Sequence, residues 1–142
     1  MKSLKVNEKV FLNEDKKWEK EAYEKTTIYN GICRVFDNFI NIFNKIDRNF
    51  RHSVGEKIYI LLSEVVINYK RGYSSTVNED KVKYWKKCLQ LLEDINSQLK
   101  LMATLKLSFS YSVYCIDMGN LERQLVGLIS KRQELIEKES IK

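Results

Sequence analysis

The chain has 142 residues, 44% hydrophobic and 31% charged, with no proline and only five glycines. That length suits one domain able to bury a core without metals or disulfides, and the scarcity of Pro and Gly disfavours sheet-rich and loop-rich folds while pointing to helices joined by short turns. A net charge of +6 and a pI near 9.1 suit a polyanionic partner, because Lys and Arg that neutralise phosphates release counterions; a lysine-rich solvated surface has the same composition.

Residues 1–25 read as a charged amino-terminal extension, and residues 1–17 carry scattered charges with no apolar h-region, which excludes an ordinary secretory signal. From Ile28 the apolar positions Ile32, Val35, Phe39, Ile42 and Ile46 alternate steps of four and three, with Phe36 and Phe43 widening the stripe, the pattern of a helix packed on others. A second helix is predicted to open at Ser53, with Ser53 and Glu56 forming an S-x-x-E capping box. It carries Val54, Ile58, Leu61, Leu62, Val65 and Tyr69 on one side and ends near Gly72, a residue suited to the left-handed conformation of a helix end.

After a Ser/Thr/Asn-rich turn over 73–78, a third helix places Val82, Trp85, Leu89, Leu92, Ile95, Leu99 and Met102 in one stripe, with Asn78 or Thr76 as cap and Glu79 and Asp80 suiting the positive end of the helix dipole. A turn over 104–110 leads to a fourth helix with Tyr114, Met118, Leu121, Leu125, Leu128 and Leu135 at the same spacing. Helices of about 20 residues are ~30 Å long, and short connections favour antiparallel neighbours. The expected fold is all-α, an up-down-up-down antiparallel four-helix bundle over residues 26–136, with the amino-terminal extension before it and a tail over 137–142. Gly31, Gly119 and Gly127 fall inside predicted helices, where each costs about 1 kcal/mol relative to alanine; close approach of another helix or subunit offsets such a cost, and so does tolerance in a well-packed bundle.

The chain offers little material for catalysis. It has one histidine, His52, and three widely spaced cysteines, Cys33, Cys88 and Cys115, each beside a core position on a separate helix. The cysteines suggest neither a disulfide framework nor a zinc site, and read as small packing residues in a reducing compartment. There is no Glu-x-x-His pair and no phosphate-cradling glycine loop. No catalytic, cofactor-binding or metal-binding residue is predicted, and the protein is expected not to be an enzyme. The longest apolar stretch, residues 58–67, is interrupted by Ser63 and Glu64 and falls far short of the roughly 20 residues of a membrane span. No membrane partner is expected, and a cytoplasmic location is.

In such a bundle the carboxy end of helix two, the amino end of helix three and the carboxy end of helix four gather at one pole. Lys70, Arg71, Lys81, Lys83, Lys86, Lys87, Lys131 and Arg132 then converge there. Lys70 and Arg71 suit the negative end of a helix dipole. Lys83, Lys86 and Lys87 share one outer face in the early turns of helix three, where cations gain nothing from the dipole and repel one another; i,i+4 pairing of Glu79 and Asp80 with this face is the alternative explanation. Tyr73 and Tyr84 interleave with these charges as candidate stacking platforms for unpaired bases, whereas Trp85 and Tyr69 fit the core stripe. The opposite pole holds Lys45, Arg48, Arg51, His52 and Lys57. Candidate nucleic-acid or partner-binding residues are therefore Arg48, Arg51 and Lys57 at one pole and Lys70, Arg71, Lys83, Lys86, Lys87 and Arg132 at the other.

The segment Arg51-His52-Ser53-Val54-Gly55-Glu56-Lys57-Ile58, followed by an amphipathic helix, resembles the start of the second helix in the Avd family, the accessory variability determinants of diversity-generating retroelements. The likeness runs over about residues 26–132 and includes the apolar helix two, the Leu99-Lys100-Leu101-Met102 end of helix three and the Leu125-Val126-Gly127-Leu128-Ile129 end of helix four. Where the family more often shows Gly-Gly-Trp-Ile, only Gly127 and Ile129 keep the pattern. The resemblance implies a small four-helix bundle that assembles as a homopentamer and serves as a non-catalytic accessory factor, binding a reverse transcriptase and nucleic acid (RNA, DNA or their hybrid) during mutagenic copying of a template RNA. A related family, the bundle proteins encoded by intervening sequences in ribosomal RNA genes, typically carries a Ser-Ile-x-x-Asn-Ile-Ala-Glu-Gly motif in helix two. Here that helix reads Leu61-Leu62-Ser63-Glu64-Val65-Val66-Ile67-Asn68-Tyr69, which is closer to Avd. A purely structural protein-interaction bundle is the further alternative.

Overall fold

The computed structural model describes residues 20–104 and 111–141. Four long helices carry the chain: α1 (Thr27–Lys45), α2 (Glu56–Ser74), α3 (Asn78–Thr104) and α4 (Tyr111–Ile141). Among the described residues there is no strand, so the chain is all-α. Most of the predicted amino-terminal extension, residues 1–19, lies outside the described residues, as do 105–110 of the predicted turn and the side chain of Tyr114. Residues 137–141, set apart as a tail on sequence grounds, continue α4.

A single 3₁₀ turn, Ala22–Lys25, leads into α1. Thr26 ends it with extended backbone, and its Oγ accepts the Tyr29 N–H at 3.1 Å, capping the first turn of α1. The same hydroxyl donates to the Tyr23 carbonyl at 2.8 Å and is hydrogen-bonded to the Tyr69 hydroxyl at 2.7 Å, which ties the start of α1 to the last turns of α2. Midway along α1, Asn38 donates to Asp117 of α4 at 2.6 Å. Asn78, the first residue of α3, donates to Glu139 near the end of α4 at 3.2 Å.

The passage from α1 to α2 departs from the sequence expectation. Helical backbone begins not at Ser53 but at Arg48, where Asp47 accepts the Asn49 N–H at 3.4 Å. It then passes through a π-helical turn, Arg51–Gly55, directly into α2. Ser53 is therefore inside helical backbone and its hydroxyl donates to the Phe50 carbonyl at 3.3 Å, while the Glu56 carboxylate is engaged with His52 Nδ1 at 3.0 Å. The S-x-x-E capping box does not form, because the N–H groups it would satisfy are already within continuous helical turns.

The core is built as the periodicity requires. Ile32, Val35, Phe39, Ile42 and Ile46 of the first stripe are buried with Ile58, Leu62, Val65 and Tyr69 of α2. They meet Val82, Trp85, Leu92, Ile95, Leu99 and Met102 of α3 and Met118, Leu121, Leu125 and Ile129 of α4. Cys88 and Leu91 are fully part of this core, where the sequence reading had favoured the neighbouring Leu89, which is only half-buried. The most extensive helix pairings are α2 on α3, α3 on α4 and α4 on α1.

Two glycines permit close approach. α2 ends near Gly72 as expected, at Ser74, but the residue that closes it is Ser75, whose backbone is extended, and Gly72 lies in the last helical turn. A Cβ at Gly72 would come within 2.7 Å of Trp85 Cδ1, and one at Gly55 within 2.8 Å of Phe43 Cδ2. Gly31 meets only ordinary van der Waals neighbours, Gln124 and Leu121 of α4 and Arg34 of its own helix, and Gly127 faces open space. These environments predict opposite signs for one substitution. In urea unfolding, Gly72→Ala should destabilise by about 1–3 kcal/mol through overpacking against a ring that cannot retreat, whereas Gly127→Ala should stabilise by up to about 1 kcal/mol from helix propensity alone. A stabilised Gly72→Ala would contradict this packing, and a destabilised Gly127→Ala would show that its face is covered.

Candidate nucleic-acid interface

The α3 stripe fixes which of its residues face outward. With Val82, Trp85, Cys88 and Leu92 buried, the intervening Lys83, Lys86 and Lys87 are exposed, three and four residues apart on the outer side. Lys83 lies over the Tyr84 ring at 5.8 Å, in the half-buried edge of this face. Among the described residues the ion pairs join His52 to Glu56 and Lys70 to Glu21. Glu79 and Asp80 do not pair with this lysine face, so the like charges stand uncompensated by the i,i+4 contacts that sequence spacing offers.

The pole formed by the end of α2, the start of α3 and the last third of α4 is more structured than the lysine face. Lys81 Nζ donates to the carbonyls of Gly72 and Tyr73 at 3.0 and 3.1 Å and lies 5.5 Å from the centre of the Trp85 ring. It thus caps the carboxy end of α2, adding a donor to the Gly72 carbonyl, which also accepts the Ser75 N–H at 3.3 Å, and supplying one to the Tyr73 carbonyl. The Trp85 indole N–H donates to the Tyr69 carbonyl at 3.4 Å, and the two rings stack at 6.5 Å. Burial, and after it the Arg132 guanidinium, holds the Lys81 ammonium below its ordinary pKa. Arg132 Nη1 reaches Asn78 Oδ1 at 3.4 Å, while its Nε is buried without a hydrogen-bond partner.

The sequence-predicted candidates divide accordingly. Arg132 belongs to this built pole. Lys70 turns toward the amino-terminal turn, 3.6 Å from the Glu21 carboxylate and over the Tyr23 ring at 5.3 Å, and Arg71 is exposed. Tyr73 is 40% exposed and remains available for stacking, whereas Trp85 and Tyr69 are each only 2% exposed. At the opposite pole Arg51 Nε and Nη2 donate to the carbonyls of Ile46 and Asn44 at 2.9 and 3.0 Å, capping the end of α1. Arg48 and Lys57 are exposed there. Sequence reading placed Lys81 at the pole without its capping role, and missed Thr26, Ile28 and Leu128 as walls beside it. Only the three-dimensional meeting of α1, α2 and α4 identifies those three.

Among the described residues no helix is long and apolar enough to cross a membrane, and no three His, Cys, Asp or Glu side chains are grouped to hold a metal ion. No protein-family model, curated protein or solved structure matches the chain.

All three cysteines are free thiols, with Cys88 buried and Cys33 and Cys115 partly exposed. Burial pushes the Cys88 thiol from its ordinary 9.0 up to about 12, and burial together with Cys33 pushes Tyr29 up to about 12. Both groups stay protonated in the fold at a pH where the unfolded chain has begun to ionise. The unfolded state then binds fewer protons than the native one, so stability should fall as pH rises from about 9 toward 12. With a thiol reagent at pH 8, Cys33 and Cys115 should be modified in the native state and Cys88 only on unfolding. Equal labelling of all three without loss of helicity would contradict the burial of Cys88.

Proposed function

We propose that the protein is a non-catalytic, oligomeric accessory factor that binds a reverse transcriptase and nucleic acid, the role implied by its resemblance to the Avd family. The observation that carries the nucleic-acid half of this reading is the exposed Lys83, Lys86 and Lys87 face without acidic partners among the described residues. Three cations at that spacing track a phosphate backbone, and Tyr73 at the adjacent pole supplies a ring on which a base stacks. An up-down-up-down antiparallel bundle is supported by the end-to-end bonds that join Thr26 to Tyr69 and Asn78 to Glu139.

The oligomeric half rests on apolar side chains that one chain leaves uncovered. Tyr59, Ile60 and Ile67 on α2, and Ile116 and Val126 on α4, are each about half exposed or more. Such surface favours self-association, and the family resemblance sets its expected form as a homopentamer in the cytoplasm. The same apolar faces equally favour a purely structural interaction bundle, which differs from the leading reading in having no affinity for nucleic acid.

A salt titration separates the two. Wild-type protein should bind single-stranded RNA or DNA with an affinity that falls steeply with salt. The combined changes Lys83→Glu, Lys86→Glu and Lys87→Glu should weaken binding and make the slope of log K against log salt shallower by roughly 2–3, the slope that three phosphate contacts contribute. An unchanged slope removes this face from the site. Absence of binding by the wild type at low salt, with the oligomer intact, supports the structural alternative.

A further inference from the structure

Between the start of α1, the end of α2, the start of α3 and α4 lies a half-enclosed cavity of about 410 Å³. Its apolar walls come from Ile28, Trp85 and Leu128, its hydroxyls from Thr26, Tyr69 and Tyr73, and its charges from Lys81 and Arg132. Among the described residues no carboxylate lines it. Glu139 is engaged with Asn78 and Glu21 with Lys70. Two cations are thus held together in a partly desolvated site, which costs free energy unless an anion compensates.

Both cations are pre-positioned. The Lys81 ammonium is anchored by two carbonyls, which leaves its third N–H free, and the Arg132 guanidinium is steered by Asn78 while its buried Nε lacks an acceptor. A dianionic phosphate monoester supplies the charge and the several acceptor oxygens that this pair lacks. The volume exceeds what a phosphate needs and falls within the range of small-molecule sites, and the exposed Tyr73 ring offers an apolar face for a base or sugar close to the Trp85 indole that lines the cavity. A half-enclosed cavity admits a chain end more readily than a continuous strand, which needs two exits.

We propose that this cavity binds a nucleotide through a terminal phosphate monoester, with the phosphate between Lys81 and Arg132 and the nucleoside against Tyr73. In the setting of the function proposed above, which this inference deepens, the occupant is the phosphorylated end of a strand, and a free mononucleotide offers the same chemistry.

The test compares one short oligonucleotide with a 5′-phosphate, with a 3′-phosphate and with hydroxyls at both ends, alongside adenosine monophosphate and inorganic phosphate. Affinity is measured at fixed salt, and the Trp85 indole N–H resonance is followed by NMR. At least one phosphorylated strand should bind roughly tenfold or more tightly than its hydroxyl counterpart, the scale of a charge-assisted contact, and should shift the Trp85 signal. Arg132→Gln should abolish that preference, weakening the phosphorylated strand roughly tenfold or more beyond whatever it costs the hydroxyl strand, and Arg132→Lys should restore part of it. The α3 lysine reversal should weaken all strands and keep the preference. If phosphorylated and hydroxyl strands bind equally to the wild type, or the preference survives in Arg132→Gln, the cavity assignment is overturned while nucleic-acid binding stands. If no strand binds but adenosine monophosphate shifts Trp85 in an Arg132-dependent way, the cavity stands with a free nucleotide as its occupant, and the strand-binding function fails.

Discussion

The indole of Trp85 seated on Gly72 is the contact on which the functional half of the molecule depends. A side chain at position 72 would push the ring away; without one, α2 and α3 approach closely and the indole N–H reaches the Tyr69 carbonyl. Lys81, one turn before Trp85, then lies over the ring and within reach of the last carbonyls of α2. A cation held over an aromatic face and against helix carbonyls is stabilised locally, which lets the fold keep Arg132 nearby without a carboxylate between them. Helix packing thus sets the electrostatics of this pole.

Both poles gather basic residues in the sequence but use them differently. At the α1–α2 junction Arg51 closes the end of α1 and His52 pairs with Glu56, so charge there serves the chain reversal. At the other pole Lys81 also serves a helix end, yet Arg132 keeps an unsatisfied nitrogen and Lys83, Lys86 and Lys87 of α3 have no acidic partner among the described residues. A charge that completes a helix terminus is explained by the fold. A charge the fold leaves uncompensated points outward, to a ligand or partner.

Helix content and core membership were legible because a 3.6-residue period is a long-range average: six or seven positions in α1 and in α3 agree, and one exception such as Cys88 in place of Leu89 does not disturb it. Helix ends were less legible because they turn on single residues. The Ser53-x-x-Glu56 pattern is chemically sound as a cap, but Asp47 starts the helical turns earlier and a π-turn carries them through, which no local pattern at Ser53 shows. Gly72 does lie two residues from the end of α2, but Ser75 rather than a left-handed glycine closes the helix. The actual use of Gly72, accommodating a ring thirteen positions later, is a tertiary fact. Of the site, the lysine face on α3 followed from periodicity alone, while the cavity joins residues as distant as Thr26 and Arg132 and had no signature in the linear chain.

The central claim is that the pole built around Trp85, and not the pole around Arg51, meets nucleic acid. Hydrogen–deuterium exchange of the full chain with and without a single-stranded oligonucleotide tests it most directly, because exchange reports protection along the whole backbone. The account predicts slowed exchange in residues 72–87 and 128–133, with residues 46–58 unchanged. Protection confined to 46–58, with the α3 and α4 segments unaffected, would contradict it.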